Sequence, residues 1–322
     1  MRKSLRLPGM IGTLLFAALR AASAAPETDH DALMERARQA LERKDLAAAS
    51  EALERANELD PTDPAARTLA GVVLYLNGQP VEASGREFKR ALQLCNGCVA
   101  RKEYLASIER VTSAYRSREE QSAVSDAYAR VEAGRAAEAL PLLERAAASN
   151  PRSARIFYEL GYAHVELRDI QRATAALEQA RRINPVSAKV LAELQYCYAE
   201  LRRRPELREV INDRIVVEGE SARLYHELGY AFAVDGELDL AITTLEGSLR
   251  KFPDFLPSYY SLGQAWFEKG DAAKARPLLE TFVARVEERG AERVRAELGR
   301  MHDLDRLLRD ARKMIEEGRV AK

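Results

Sequence analysis

The chain has 322 residues, 47% of them hydrophobic and 31% charged, with 50 basic side chains against 50 acidic ones. That balance is too apolar for a disordered chain and too even for a general attraction to nucleic acid. Three cysteines and four histidines leave little material for a metal cluster.

The N-terminus reads as an export signal over residues 1–24. Arg2, Lys3 and Arg6 form a basic leader, Met10 to Leu19 is a weakly apolar run, and Ala22-Ser23-Ala24 supplies the small residues that signal peptidase requires. Cleavage is expected after Ala24, since a cut one residue later would put Pro26 next to it. The alternatives are an uncleaved anchor or a tail. The apolar run is shorter than the roughly 20 residues a membrane span takes, and no cysteine follows it to accept a lipid. Removing this segment takes away Arg2, Lys3, Arg6 and Arg20 and no acid, which leaves 46 basic against 50 acidic residues. The mature chain is expected to be periplasmic or secreted, to have no membrane span and to begin with a short disordered linker, 25–29.

A 34-residue pattern follows. His30 to Asp63 carries Leu33, Ala37, Ala49, Leu53, Ala56 and Pro61, and Pro64 to Cys98 carries Gly71, Leu74, Gly78, Phe88 and Ala91 with one extra residue before Phe88. The second stretch ends in Cys95-Asn96-Gly97-Cys98 where four of the other repeats have proline, at Pro61, Pro151, Pro185 and Pro253. From Val99 to Glu132 there is neither glycine nor proline, so the segment is expected to be helical: either one long helix running into the first helix of the repeat that starts at Glu120, or, the preferred reading, an extra helix over 99–119 broken near Ser117. Five repeats then run from 120 to 289. The clearest, Ala154 to Ser187, contains Phe157, Leu160, Gly161, Ala173, Leu177, Ala180 and Pro185, while Ala188 to Ser221 has Leu207 and Arg214 where small residues are usual. Tyrosine recurs at Tyr128, Tyr162, Tyr196 and Tyr230, and leucine at Leu160, Leu194, Leu228 and Leu262. Beyond residue 290, Val294, Leu298, Met301, Leu304, Leu308, Ala311 and Ile315 recur at helical spacing and predict a capping helix within 290–322.

The residues of 154–187 resemble the tetratricopeptide repeat at nearly every position that defines it, with His164 where tyrosine is usual, and the other repeats match it less completely. The resemblance implies an all-α, right-handed superhelical solenoid of about seven helix-turn-helix units with a C-terminal capping helix. It further implies an N-terminal repeat pair over 30–98, separated by the extra helix from the five-repeat array 120–289.

On the first helix of a repeat, Tyr162 is turned about 100° from Gly161, the position that faces the partner helix. In tetratricopeptide proteins this stripe lines a concave groove. The groove implied here is surfaced by Tyr128, Tyr158, Tyr162, Tyr196, His226, Tyr230, Tyr260 and Phe267, with Glu132, Glu166, Glu200 and Glu268 nearby and Arg223 and Lys189 at its rim. Such a surface suits a protein or peptide segment. Packing of the rings against neighbouring repeats is the other reading of the same ladder.

Cys95-x-x-Cys98 is the one short motif with chemical content. In an exported chain a disulfide is its expected state, and a thiol redox role is the alternative. His226-Glu227 begins like a metalloprotease helix, but Tyr230 stands where the second histidine is needed. The expected function is therefore a non-enzymatic interaction scaffold and assembly factor in the bacterial envelope, without cofactor or metal. A structural subunit of a secretion, pilus or polysaccharide-export complex is the alternative. The sequence leaves the oligomeric state open.

Overall fold

The computed structural model describes residues 29–95, 98–298 and 303–320. The expected signal segment 1–24, residues 25–28 of the linker, Met301 and the end of the tail lie outside the described residues. Every regular element among the described residues is an α-helix. In chain order these are α1 (Asp29–Glu42), α2 (Leu46–Leu59), α3 (Pro64–Leu76), α4 (Val81–Leu94), α5 (Arg101–Thr112), α6 (Arg118–Glu132), α7 (Ala136–Ser149), α8 (Ala154–Glu166), α9 (Ile170–Ile183) and α10 (Ala188–Glu200). They continue with α11 (Arg204–Glu218), α12 (Ala222–Val234), α13 (Leu238–Lys251), α14 (Leu256–Glu268), α15 (Ala272–Arg289), α16 (Ala291–Leu298) and α17 (Leu304–Val320).

Two compact units divide the chain, Met1–Arg203 and Arg204–Lys322. The division falls between α10 and α11, inside the stretch 188–221 that the sequence reads as one repeat of a continuous array. The apolar residues of α11 explain its assignment: Leu207, Ile211 and Ile215 pack with Leu228, Ala231 and Phe232 of α12, in the second unit.

In the first unit α1 pairs with α2, α3 with α4, α6 with α7 and α8 with α9, while α10 lies on α9. Short polar residues start these helices by satisfying N–H groups that have no acceptor within the helix. Asp45 accepts from the Ala48 N–H at 3.0 Å and Asp169 from the Arg172 N–H at 3.2 Å. The extra segment is the separate helix α5, and its break from α6 comes at Ser117, whose hydroxyl accepts from the Glu120 N–H at 3.1 Å.

α5 rests on α3 and α4, and α4 lies against α9. At that contact a Cβ on Gly85 would stand 3.3 Å from Pro185 Cγ, so the missing side chain lets the elements approach. Asn184 donates to Glu109 of α5 at 2.8 Å. Arg152, in the turn between α7 and α8, donates to the carbonyls of Gln79 and Tyr75 at 2.9 and 3.0 Å, with its guanidinium 4.7 Å from the Tyr75 ring centre. The Tyr75 hydroxyl donates back to the Arg152 carbonyl, and burial pushes its phenol up to about 12. The N-terminal hairpin pair is thus bound to the flank of the α6–α9 hairpins.

In the second unit α12 pairs with α13 and α14 with α15, and α17 packs on α14 and α15. The capping element consists of two helices, α16 and α17. Asp303 restarts the chain by accepting from the Asp305 and Arg306 N–H groups, and Leu304, Leu307, Ala311 and Ile315 join Leu279, Phe282 and Val286 in one core.

Two constraints repeat through both units. In four hairpins the first and second helices touch at a glycine, Gly71, Gly161, Gly229 or Gly263: a Cβ on Gly161 would stand 2.5 Å from Leu177 Cγ, and one on Gly229 would stand 2.6 Å from Leu245 Cγ. The turn between them needs a left-handed residue, supplied by Lys44, Gly78, Gly134, Arg168, Arg202, Gly236 and Gly270 with φ between 54° and 88°. The steps between these residues are 34 apart except from Gly78 to Gly134, where 56 residues accommodate α5.

Lys44→Gly should stabilise the chain by about 0.5 kcal/mol, the left-handed penalty of about 1–2 kcal/mol less the extra chain entropy of glycine, about 0.5–1 kcal/mol. Gly161→Val should destabilise it by about 2 kcal/mol through overpacking against Leu177. Urea unfolding of the two variants checks both signs.

Candidate functional site

The first helices α6, α8 and α10 lie side by side in the first unit and bring together Tyr128, Tyr158, Tyr162 and Tyr196 on one face. Tyr128 is 41% exposed and the other three are half-buried. Tyr158 and Tyr162, one turn apart on α8, hold their rings parallel within 3° at a centroid distance of 6.3 Å. The Tyr162 hydroxyl donates to Glu132 Oε1 at 3.4 Å, and Arg168 Nη1 donates to the Tyr196 hydroxyl at 2.7 Å. Tyr162 and Tyr196 therefore reach back to the end of the preceding first helix while part of each ring stays at the surface.

Carboxylates surround the rings. Burial pushes the Tyr162 phenol up to about 12, and Glu166 and Glu132 add to the shift. Tyr158 is raised by burial and then by the charge of Glu193. Glu159 is fully buried and ion-paired to Arg155; burial still raises its carboxyl against the pull of Arg155 and Lys189. Glu193 is raised by burial and by Glu166, and it has no hydrogen-bond or ion-pair partner among the described residues.

In the second unit the residues of the expected stripe fare differently. Tyr230 is 46% exposed. His226 is 3% exposed, shares a 2.9 Å hydrogen bond with the Ser261 hydroxyl, stacks on Tyr230 and meets the Phe255 ring edge-on. Tyr260 is 8% exposed, packs on Phe282 at 5.5 Å and lies in the core that α17 completes; burial and then Asp310 of α17 raise its phenol to about 12. Phe267 is half-buried against the same core. His226 and Tyr260 thus offer no surface to a ligand. The end of a helix stack must cover its last apolar face, and α17 does so over the positions where the stripe would continue.

Glu159 and Glu193 were not among the expected site residues. A signal for them exists: a basic residue, three others, then Glu-Leu-x-Tyr, at Arg155 to Tyr162, Lys189 to Tyr196 and Arg223 to Tyr230. The Tyr75–Arg152 clamp had no such signal, because its partners are 77 residues apart and outside the repeat register.

Cys95 and Cys98 are joined in a disulfide with Cα atoms 5.0 Å apart, and Arg101 donates to the Cys95 carbonyl at 2.9 Å. Cys197 is buried, which pushes its thiol up to about 11. Among the described residues no group of three or more His, Cys, Asp or Glu side chains could hold a metal ion, and no helix is long and apolar enough to cross a membrane.

Models of the tetratricopeptide repeat match residues 130–203 and, in a second form, 34–97 and 226–290. No curated protein matches the chain in sequence. Among solved structures, the crystal structure of MamA protein is 18% identical, covering 52% of this chain and 92% of that one, with a TM-score of 0.48. A MamA chain from Desulfovibrio magneticus RS-1 is 18% identical over 52% of this chain and 95% of that one, with a TM-score of 0.45. YrrB, described as a TPR protein with an unusual peptide-binding site, is 17% identical over 50% of this chain and 84% of that one, also at 0.45. At this distance none of them informs the site.

Two measurements follow from the geometry. A maleimide should label no cysteine in the native chain, one after denaturation and all three after denaturation with reduction. A raised carboxyl stabilises the fold below its unfolded pKa and loses that contribution as pH rises through the folded value. Glu193→Gln should therefore raise the melting temperature at pH 7 and reduce the gain that the parent chain shows as the pH is lowered toward 5.

Proposed function

The chain belongs to the tetratricopeptide repeat superfamily, and from that premise we propose that it is a non-enzymatic scaffold holding a peptide or protein segment against the tyrosine face of α6, α8 and α10. The observation that carries this reading is the Tyr158–Tyr162 ring pair, parallel and half-buried, on first helices that also present exposed Tyr128. Tyrosine offers a large apolar body and a polar tip with little rotamer entropy to lose, which suits it to interfaces. The paired cysteines and the buried, raised thiol of Cys197 favour a non-enzymatic role over thiol chemistry.

The leader of basic, apolar and small residues supports export, and we place the mature chain in the bacterial envelope as an assembly factor, free of nucleic acid. N-terminal sequencing of the mature protein from a periplasmic fraction should begin at Ala25.

A second reading, a structural subunit of an envelope complex, is favoured by a cleft of about 570 Å³ between α13, α14 and α15. It is lined by Leu249, Leu262, Trp266, Lys274 and Leu278, with Leu240 49% exposed on α13. Trp266→Ala would break assembly under that reading and leave it intact under the first.

The test is crosslinking in the native envelope. Tyr158→Ala combined with Tyr162→Ala should abolish capture of the partner while helical circular dichroism is retained. Unchanged capture would mean that this face is not the binding surface.

A further inference from the structure

The chain builds one small arrangement twice for its own stability. The Tyr198 hydroxyl donates to Glu178 at 3.0 Å, and Arg203 both bonds that same carboxylate at 2.9 Å and lies 4.8 Å over the Tyr198 ring. The Tyr225 hydroxyl donates to Glu220 at 2.9 Å, and Lys251 bonds Glu220 and stands 5.1 Å over the Tyr225 ring. In each case a phenol and a carboxylate fix one another, and a cation closes the group by an ion pair and a cation–π contact.

A third tyrosine–carboxylate pair sits on the tyrosine face, Tyr162 with Glu132 at 3.4 Å. Among the described residues no cation stands over the Tyr162 ring and none pairs with Glu132. The nearby basic groups are engaged elsewhere: Arg155 with Glu159 and 6.0 Å from the Tyr158 ring, Arg168 with the Tyr196 hydroxyl. Lys189 is exposed and its charge acts on Glu159.

The three glutamates of the repeated Glu-Leu-x-Tyr motif show the same imbalance. Glu159 has Arg155, and Glu227 has Arg223 at 2.8 Å. Glu193, whose charge acts on Tyr158, has no hydrogen-bond or ion-pair partner among the described residues, and Glu166 is the charge that acts on it. A half-buried carboxylate without a counter-ion is unfavourable in the free protein, and a cation delivered by a ligand would relieve it.

We propose, resting on the binding reading above, that this face takes a peptide segment through one basic side chain, arginine in preference to lysine. That side chain lies over Tyr162 and is bonded to Glu132, with Glu166 and Glu193 supplying the surrounding charge. Arginine is preferred because its planar guanidinium can lie on the ring and still present parallel N–H groups to a carboxylate.

The experiment uses the full chain to select from a displayed library of random 12-residue peptides, followed by anisotropy titration of the selected peptide and of its variants. A basic residue should recur at one position, and replacing it with glutamine should weaken binding about tenfold, the size of one charge-assisted hydrogen bond. Lysine there should bind with intermediate strength. Glu132→Gln should weaken the parent peptide to a similar degree and remove its advantage over the glutamine peptide. Glu193→Gln should weaken it without lowering the melting temperature, which separates a ligand contact from a structural one. Selected peptides that need Tyr158 and Tyr162 but carry no common basic residue, or that ignore Glu132→Gln, would overturn this inference and leave the face as a binding surface. Peptides indifferent to the two tyrosines, or no selected peptide at all, would overturn both.

Discussion

Everything in the molecule depends on how closely two helices of a hairpin can approach. Gly161 has no side chain where Leu177 presses on it, and the same absence recurs at Gly71 against Phe88, Gly229 against Leu245 and Gly263 against Leu279. With the backbones this near, each hairpin buries one face internally and leaves another apolar face that only the next hairpin can cover. The left-handed residue at each turn follows from the same geometry, because the chain must reverse within a few residues to keep the two helices in contact.

Stacking by repetition fixes which side chains are spent on cohesion and which remain. On α8, Ile156 and Ala163 are buried in the core shared with α6 and α7, Tyr162 packs at the edge of that core with its ring half-buried, and Tyr158 is half-buried one turn before it. Their hydroxyls are raised by burial and by carboxylates, so they stay protonated donors at any physiological pH. The resulting face combines rigid rings with negative charge, and its position on three parallel first helices gives a ligand several points of attachment at regular spacing.

Termini and insertions are where the repetition has to be broken. At the C-terminal end α17 supplies the missing neighbour and in doing so buries Tyr260, so a residue that would be surface in the middle of a stack becomes core at its end. The insertion α5 has a different effect. It carries the chain aside so that α4 meets α9, with Arg152 and Tyr75 clamping the contact. The first hairpins therefore lie as a flank against α9 and the turn between α7 and α8.

The sequence by itself determined the helices, the 34-residue period and the small contact positions, since each is set by neighbours within one or two turns or by a single repeat step. It also put tyrosines on the outward side of the first helices, because helical geometry alone places Tyr162 about 100° from Gly161. Only the tertiary structure decided which of them are available. His226 and Tyr260 are indistinguishable from Tyr158 by register, yet packing against Phe255, Ser261, Phe282 and α17 buries them. The imbalance of charge at Glu193 and Glu132 was likewise illegible in the chain, where acids and bases alternate everywhere. Whether a carboxylate finds its counter-ion depends on distances between helices, and no local pattern encodes those.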